Sequence, residues 1–180
     1  MLLRNVFVPK DRSGLWLCIL LAILIHACSG VKKTSTANRK LTKKEYTELS
    51  EKLQVEIDDK CNIKLYRLVA DWYGVPHKDG GCEKSGTDCS CFVRMVIDEV
   101  YNKQLPRTTV EMYKKVSEKN GKLKEGDLLF FNTKSKSVSH VGIYLKDDLF
   151  VHVSTSKGVM INNLNETYYR KTYVGSGKVD

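Results

Sequence analysis

The hydrophobic positions change their spacing about two thirds of the way along the chain. Before residue 120 they recur at helical intervals, which predicts helices over residues 42–57, 63–73, 89–101 and 110–119. After residue 125 they form short runs or alternate, which predicts strands over residues 128–131, 138–145, 149–154, 159–163 and 168–175. Helices followed by an antiparallel sheet predict an α+β domain.

One apolar run stands apart, because it follows a basic segment at the N-terminus. Residues 15–25 match the core of a signal peptide in length and are too few to cross about 30 Å of hydrocarbon. The next residues, Ile25-His26-Ala27-Cys28, resemble a bacterial lipoprotein cleavage site, which implies cleavage before Cys28 and a lipid on its sulfur. We therefore predict a lipoprotein signal peptide over residues 1–27 and a polar, flexible tether over residues 28–40. An uncleaved anchor helix is the alternative.

The chain is basic, and its predicted export restricts which anionic partners it can meet. The formal net charge is +9; cleavage after residue 27 removes three basic residues and one acidic residue, which leaves +7. A basic surface attracts anionic partners. Nucleic acid is not expected for an exported protein without a dense Lys/Arg run, whereas a cell-wall polymer or an anionic lipid fits. We expect the mature protein at the outer membrane or on the outer face of the plasma membrane.

Four cysteines lie in the predicted folded part: Cys61, Cys82, Cys89 and Cys91. Cysteines in exported proteins usually form disulfides, but a catalytic thiol stays free, so one catalytic cysteine leaves room for at most one bridge. Cys61–Cys82 and pairings with Cys91 are all open. The spacing of these cysteines with His77 matches no common zinc pattern, so we expect neither a metal nor a cofactor.

Cys89 lies where a charged, glycine-rich loop meets an apolar helix. Unpaired N–H groups at a helix start stabilise a thiolate, although Asp88 at the capping position opposes this with its charge. His140 and His152 fall on neighbouring strands, and a tight hairpin around residues 147–148 brings them side by side on one face. In this arrangement His140 takes the thiol proton and His152 orients the ring of His140.

Six blocks of sequence then resemble the NlpC/P60 family of cell-wall cysteine peptidases. In family order they are residues 74–81 (GVPHKDGG), 87–93 (TDCSCFV), 105–108 (LPRT), 126–131 (GDLLFF), 139–145 (SHVGIYL) and 150–152 (FVH). A lone Asp-Cys-Ser would be weak support, whereas six ordered blocks over about the last hundred residues are specific.

The resemblance implies a papain-like fold, with N-terminal helices packed on a central antiparallel sheet, in a catalytic domain over residues 41–180 whose core motifs span 74–175. It also implies hydrolysis of peptide bonds in peptidoglycan stem peptides, often the bond between γ-D-glutamate and the diamino acid. By the same resemblance Cys89 is the nucleophile, His140 the base and His152 the orienting residue. Asp88 and Ser90 are then expected to hold the amino end of the substrate.

Two residues depart from the family pattern. Cys91 stands where glycine usually follows Cys-Ser, and His77 stands where tyrosine is common, so His77 is expected to supply the hydrogen bond of the missing hydroxyl. These departures keep two alternatives open. One is an inactive wall-binding lipoprotein, and the other is a papain-like amidase or acyltransferase with another substrate.

Overall fold

The computed structural model describes residues 41–118, 121–133 and 137–179, and within these ranges the chain forms five helices and eight strands. The helices are α1 (Lys43–Leu53), α2 (Ile63–Trp72), α3 (Cys89–Tyr101), α4 (Thr109–Lys115) and α5 (Thr167–Thr172). The strands are β1 (Cys82–Glu83), β2 (Gly86–Thr87), β3 (Ser117–Glu118), β4 (Leu128–Phe131), β5 (His140–Tyr144), β6 (Leu149–Ser154), β7 (Gly158–Asn163) and β8 (Tyr173–Lys178). The predicted α+β class is confirmed.

The first helix begins as the sequence predicts and ends earlier. Thr42 and Glu45 form a capping box, in which the Thr42 backbone N–H donates to the Glu45 carboxylate at 2.8 Å. The helix ends at Leu53 because Gln54 adopts a left-handed conformation with φ of 55°. The prediction of a helix through Ile57 was therefore wrong. Ile57 is nevertheless buried, so its helical spacing from Leu53 indicates that the residue packs in the core and does not indicate that the helix continues.

Six strands form one antiparallel sheet in the order β3-β8-β4-β5-β6-β7. Strands β5 and β6 are joined by a tight turn at Asp147 and Asp148, both of which have positive φ angles. The register pairs Ile143 with Val151 and Tyr144 with Phe150. Consecutive residues of these strands point to opposite faces, so this register determines which side chains share a face.

The central strands of the sheet are buried on both faces. On one face α3 packs against an apolar layer that includes Val141, Ile143, Val151 and Val153. The other face carries a smaller cluster: Leu129, Phe131, Tyr144, Phe150 and Tyr169. Because both faces are covered, all four residues of β4 are buried and read as one continuous apolar run.

The C-terminal segment differs from the prediction. Residues 168–175 were predicted to form a strand, but Thr167–Thr172 is helix α5 and the strand β8 begins at Tyr173. Tyrosines favour strands by intrinsic preference, whereas here Tyr169 is buried against Phe150 from a short helix. Similarly, the predicted helix 110–119 ends at Lys115 and is followed by the short strand β3.

A disulfide joins Cys82 to Cys91, with 5.5 Å between their Cα atoms. It ties the small β1–β2 hairpin, within the segment predicted as a loop, to the first turn of α3. Cys61 and Cys89 are free thiols. Of the pairings that the sequence left open, the structure therefore has the one between Cys82 and Cys91.

The predicted signal peptide, the cleavage site at Cys28 and the tether lie outside the described residues. Among the described helices, none combines the length and the apolar character that crossing a bilayer requires.

We expect the Cys82–Cys91 bridge to stabilise the folded chain, because it closes a loop between residues nine apart and restricts the unfolded state. The Cys82→Ser/Cys91→Ala double variant should lose about 2–3 kcal/mol of unfolding free energy, measured by urea denaturation. Reductant should lower the wild-type midpoint to that of the variant and leave the variant unchanged. A wild-type midpoint insensitive to reductant would contradict the bridge.

Candidate active site

Cys89 is the first residue of α3. The preceding residue, Asp88, caps the helix by accepting a hydrogen bond from the Cys91 N–H at 2.7 Å. The Cys89 sulfur lies 3.9 Å from the Thr109 hydroxyl and is also close to the backbone N–H of Val141. The start of the helix is thereby held against the start of β5, where His140 immediately precedes Val141.

The surroundings of the Cys89 thiol disfavour a free-standing thiolate. Burial raises the pKa of the thiol, and the negative charge of Asp88 raises it further. Hydrogen bonds from Val141, Thr109 and Ser90 oppose this rise in pKa but do not reverse it. The N–H groups at the helix start therefore do not ionise the sulfur by themselves. A neighbouring base has to accept the thiol proton, which is the role that the sequence predicts for His140.

The two histidines of β5 and β6 meet as the strand pattern predicted. His140 Nε2 lies 3.0 Å from His152 Nδ1, with the rings nearly perpendicular. Gly142 lies opposite this pair, and a Cβ at that position would lie 2.8 Å from Phe150 Cδ2 and 2.9 Å from the Val151 carbonyl oxygen. The glycine thus leaves room for strand β6 and for the Phe150 ring, on which His152 stacks.

His152 is almost completely buried, with 2% of its surface exposed. Its ring stacks on Phe150, and its Nε2 lies 2.9 Å from Asn162 Oδ1 and 3.1 Å from the Tyr169 hydroxyl. Burial lowers the pKa of His152, although the Asn162 hydrogen bond and the charge of Glu166 oppose the shift. His152 is therefore neutral near pH 7.

The two residues that flank Cys89 in the sequence, Asp88 and Ser90, form a network with Arg107. The guanidinium of Arg107 contacts the Asp88 carboxylate at 2.5 Å and the Ser90 hydroxyl at 2.6 Å. Ser90 in turn donates to Asp88 at 2.8 Å. Although burial opposes it, these hydrogen bonds hold the pKa of Asp88 below its ordinary value, so the carboxylate remains charged beside Cys89.

Cys89, His140 and His152 line one open cleft of about 370 Å³. Asp88, Ser90 and His77 line the same cleft, so every site residue predicted in the folded part lies there. His77 Nε2 faces Asp79 Oδ1 at 3.5 Å, which is longer than a normal hydrogen bond. Val110 and Tyr168 form exposed apolar parts of the wall.

The described residues hold no cluster of three or more His, Cys, Asp or Glu side chains placed to bind a metal ion. Cys82 and Cys91 are bonded to each other, so neither offers a free thiolate to a cation.

Several residues of the site were missed by the sequence analysis. Arg107 belongs to the LPRT block and Thr109 directly follows it, so the family resemblance could have marked both as site residues. Their contacts with Asp88 and Cys89 join residues about twenty positions apart in the sequence. Asn162, Glu166 and Tyr169 carry no local signal, because only the β6–β7 pairing and the docking of α5 bring them to His152.

A sequence model of the NlpC/P60 family matches residues 74–178, which is more than half of the chain. The chain belongs to the NlpC/P60 family. The match includes the cleft, the Cys82–Cys91 bridge and the entire six-stranded sheet.

Known NlpC/P60 proteins resemble the chain well beyond the site. The chain is 39% identical over 166 residues to murein DD-endopeptidase MepS/murein LD-carboxypeptidase of Escherichia coli, with 86% of each chain covered. It is 31% identical over 181 residues to a Haemophilus influenzae protein named probable endopeptidase NlpC homolog, with 88% and 94% covered. A solved NlpC/P60 family protein from Bacillus cereus superposes with a TM-score of 0.60 at 26% identity, over 66% of this chain and 40% of that one.

The low pKa of buried His152 makes the stability of this NlpC/P60 chain depend on pH. The unfolded state takes up a proton below the ordinary value of 6.5, whereas the folded state does so only at lower pH. The unfolding free energy should therefore fall as the pH drops below 6.5, by up to about 1.4 kcal/mol per pH unit from this residue.

Urea denaturation between about pH 7.5 and pH 5.5 checks this, with His152→Gln as the comparison. The variant should show a shallower pH dependence than the wild type in this window. Equal slopes for the two proteins would contradict a lowered pKa at His152.

Proposed function

We propose that the chain is a cysteine endopeptidase that hydrolyses peptide bonds in bacterial peptidoglycan stem peptides. The observation that carries the proposal is the meeting of a helix-start thiol with two hydrogen-bonded strand histidines in one open cleft. The similarity to proteins named murein and probable endopeptidases supports the substrate class. The bond between γ-D-glutamate and the diamino acid is the first candidate for cleavage.

Cys89 is the nucleophile in this proposal, and His140 is the base. Because the pKa of the thiol is raised by burial, ionisation is coupled to proton transfer onto His140, whose other ring nitrogen contacts His152. The sulfur then attacks the amide carbonyl carbon, and a C–S bond forms as the carbonyl oxygen becomes negative. The positive imidazolium is retained beside this intermediate.

The intermediate collapses when the C–N bond breaks and His140 gives its proton to the leaving amine. Water then attacks the thioester and gives a proton to His140, the C–S bond breaks, and the proton returns to the sulfur. The Cys91 N–H is already bound to Asp88, so the oxyanion is stabilised by other N–H groups at the helix start, with His77 as a further donor.

We propose that Asp88 and Ser90 hold the amino end of the substrate, as their position in the cleft allows. Arg107 limits this role, because it already neutralises much of the Asp88 charge. The remaining acidic group at the cleft is Asp79, whose side chain is 90% exposed beside His77. An ammonium group of the substrate would therefore meet the charge of Asp79 more directly than that of Asp88.

Cys89→Ala should abolish hydrolysis of purified peptidoglycan fragments, with a loss of at least about a thousandfold, because no second thiol is among the described residues that line the cleft. Mass spectrometry of the products measures this loss and identifies the bond cut by the wild type. His140→Ala should lose activity similarly. Cys61→Ala is the matched control, because Cys61 is the other free thiol among residues 41–179 that the structure describes and lies outside the cleft.

Full hydrolysis by Cys89→Ala would reject the mechanism. Wild-type binding of peptidoglycan without any cleavage would indicate a wall-binding protein instead. Fragments carrying a transferred acyl group would indicate an acyltransferase that uses the same thiol.

We also propose that the mature chain is a lipoprotein anchored through Cys28 in the cell envelope. The support is the sequence pattern before Cys28, an apolar core followed by Ile25-His26-Ala27. The basic mature surface, with a net charge of +7, favours contact with anionic lipid and wall polymer.

Metabolic labelling with a fatty-acid analogue tests the anchor in the full-length chain. The wild type should incorporate the label and fractionate with membranes, whereas Cys28→Ala should lose the label. Cys18→Ala is the matched control, since Cys18 lies within the apolar run and should not affect labelling. Undiminished labelling of Cys28→Ala would remove lipidation at this residue.

A further inference from the structure

A chain of hydrogen bonds continues from His152 beyond the two histidines. His152 Nε2 lies 2.9 Å from Asn162 Oδ1, and Asn162 Nδ2 donates to Glu166 Oε1 and Oε2 at 2.9 and 3.1 Å. Asn162 belongs to β7, and Glu166 immediately precedes α5. Neither residue contacts the nucleophile, so any influence on the reaction passes through His152.

The carboxylate of Glu166 determines which way the Asn162 amide points. An ionised carboxylate only accepts hydrogen bonds, so the Asn162 group that faces it is the NH₂ group. The backbone N–H of Asn163 also donates to Glu166 Oε1, at 2.9 Å, which holds the carboxylate in place. The amide oxygen of Asn162 is consequently directed at His152.

An amide oxygen likewise only accepts, so His152 must carry its proton on Nε2 to bind it. The Tyr169 hydroxyl, 3.2 Å from the same oxygen, donates to a second lone pair of Asn162 Oδ1. Since His152 is neutral, its Nδ1 then has a lone pair and accepts a hydrogen bond from His140 Nε2 at 3.0 Å. His140 in turn has its proton on Nε2 and a lone pair on Nδ1.

We propose that Asn162 and Glu166 are positioning residues that set the protonated nitrogen of His140 by way of His152. The inference rests on the proposed function, because it matters for catalysis only if His140 is the base. With this tautomer, Nδ1 of His140 is able to accept the proton of Cys89. With the opposite tautomer, Nδ1 already carries a proton and does not act as a base toward the thiol.

Tyr169 supplies the competing arrangement. Its hydroxyl is also 3.1 Å from His152 Nε2, so it is placed to donate there when Asn162 no longer accepts. His152 would then carry its proton on Nδ1 and donate to His140, which reverses the tautomers of both rings. The two arrangements differ only in proton positions, which the ¹⁵N signals of the two rings report.

Histidine ¹⁵N NMR of the full-length chain near pH 7 reads the protonated nitrogen directly, with His140→Gln and His152→Gln used for assignment. The wild type should show both rings protonated on Nε2. Asn162→Leu should convert both rings to the Nδ1 form or to a mixture. Tyr169→Phe should leave the Nε2 form in place. The opposite result, conversion by Tyr169→Phe and none by Asn162→Leu, would overturn the proposal.

Glu166→Ala tests the same chain one step farther out, without changing a residue that touches either histidine. Without the carboxylate, the Asn162 amide should adopt both orientations, and His140 and His152 should show a mixture of tautomers. The control is Glu48→Ala, which removes an exposed carboxylate on α1 and should leave both tautomers unchanged. If Asn162→Leu fails to fold, the Glu166→Ala result decides the proposal. An unchanged Nε2 signal in a folded Glu166→Ala variant would exclude a role for Glu166.

Exchanging the amide and the carboxylate between positions 162 and 166 should restore the tautomer. Asn162→Asp alone places two carboxylates against each other, whereas Asn162→Asp/Glu166→Gln moves the amide donor to position 166 and keeps an acceptor toward His152. The double variant should restore the Nε2 form that Asn162→Leu loses. A double variant that stays in the Nδ1 form would contradict the proposed order of donors and acceptors.

Kinetics on peptidoglycan fragments then separate this inference from the proposed function. Asn162→Leu should lower kcat at least about tenfold with little change in KM, because substrate binding does not involve the tautomer. If the wild type is inactive but the NMR results hold, the proposed function fails and the tautomer control stands. If the wild type is active and the tautomers do not respond, only the tautomer control fails.

Discussion

The site depends on one contact between a helix and the sheet, in which the first turn of α3 packs against the first residues of β5. Val141 offers its backbone N–H to the Cys89 sulfur, and the same strand carries His140 one residue earlier. Because neighbouring strand residues point to opposite faces, Val141 packs under the helix while His140 belongs to the other face. A shift of β5 relative to α3 would move His140 away from Cys89, the residues that we propose as base and nucleophile.

Burial at this contact changes the protonation equilibria of the site. It raises the pKa of the Cys89 thiol and lowers that of His152, so burial favours the neutral forms of these two side chains. Charge separation within the site therefore requires transfer from sulfur to imidazole, and the polar neighbours must be arranged before it occurs. The stacking of His152 on Phe150 and the space left by Gly142 hold the two rings in that arrangement.

A disulfide and an ion pair fix the start of α3 around Cys89. Cys91, where the family usually has glycine, lies in a disulfide with Cys82 and is not a second free thiol beside Cys89. Arg107 balances the charge of Asp88, which would otherwise oppose ionisation of the sulfur more strongly. The cysteine at position 91 thus leaves Cys89 as the free thiol at the start of α3.

The sequence by itself determined the order of helices and strands, the start of α3 at Cys89 and the shared face of the two histidines. Each of these follows from local spacing, which a chain carries wherever it folds. Only the tertiary structure decided the Cys82–Cys91 pairing, the helix at 167–172 and the positions of Asn162 and Glu166 behind His152. These depend on which layers pack together, because residues distant in sequence acquire partners only when the sheet is assembled and both its faces are covered.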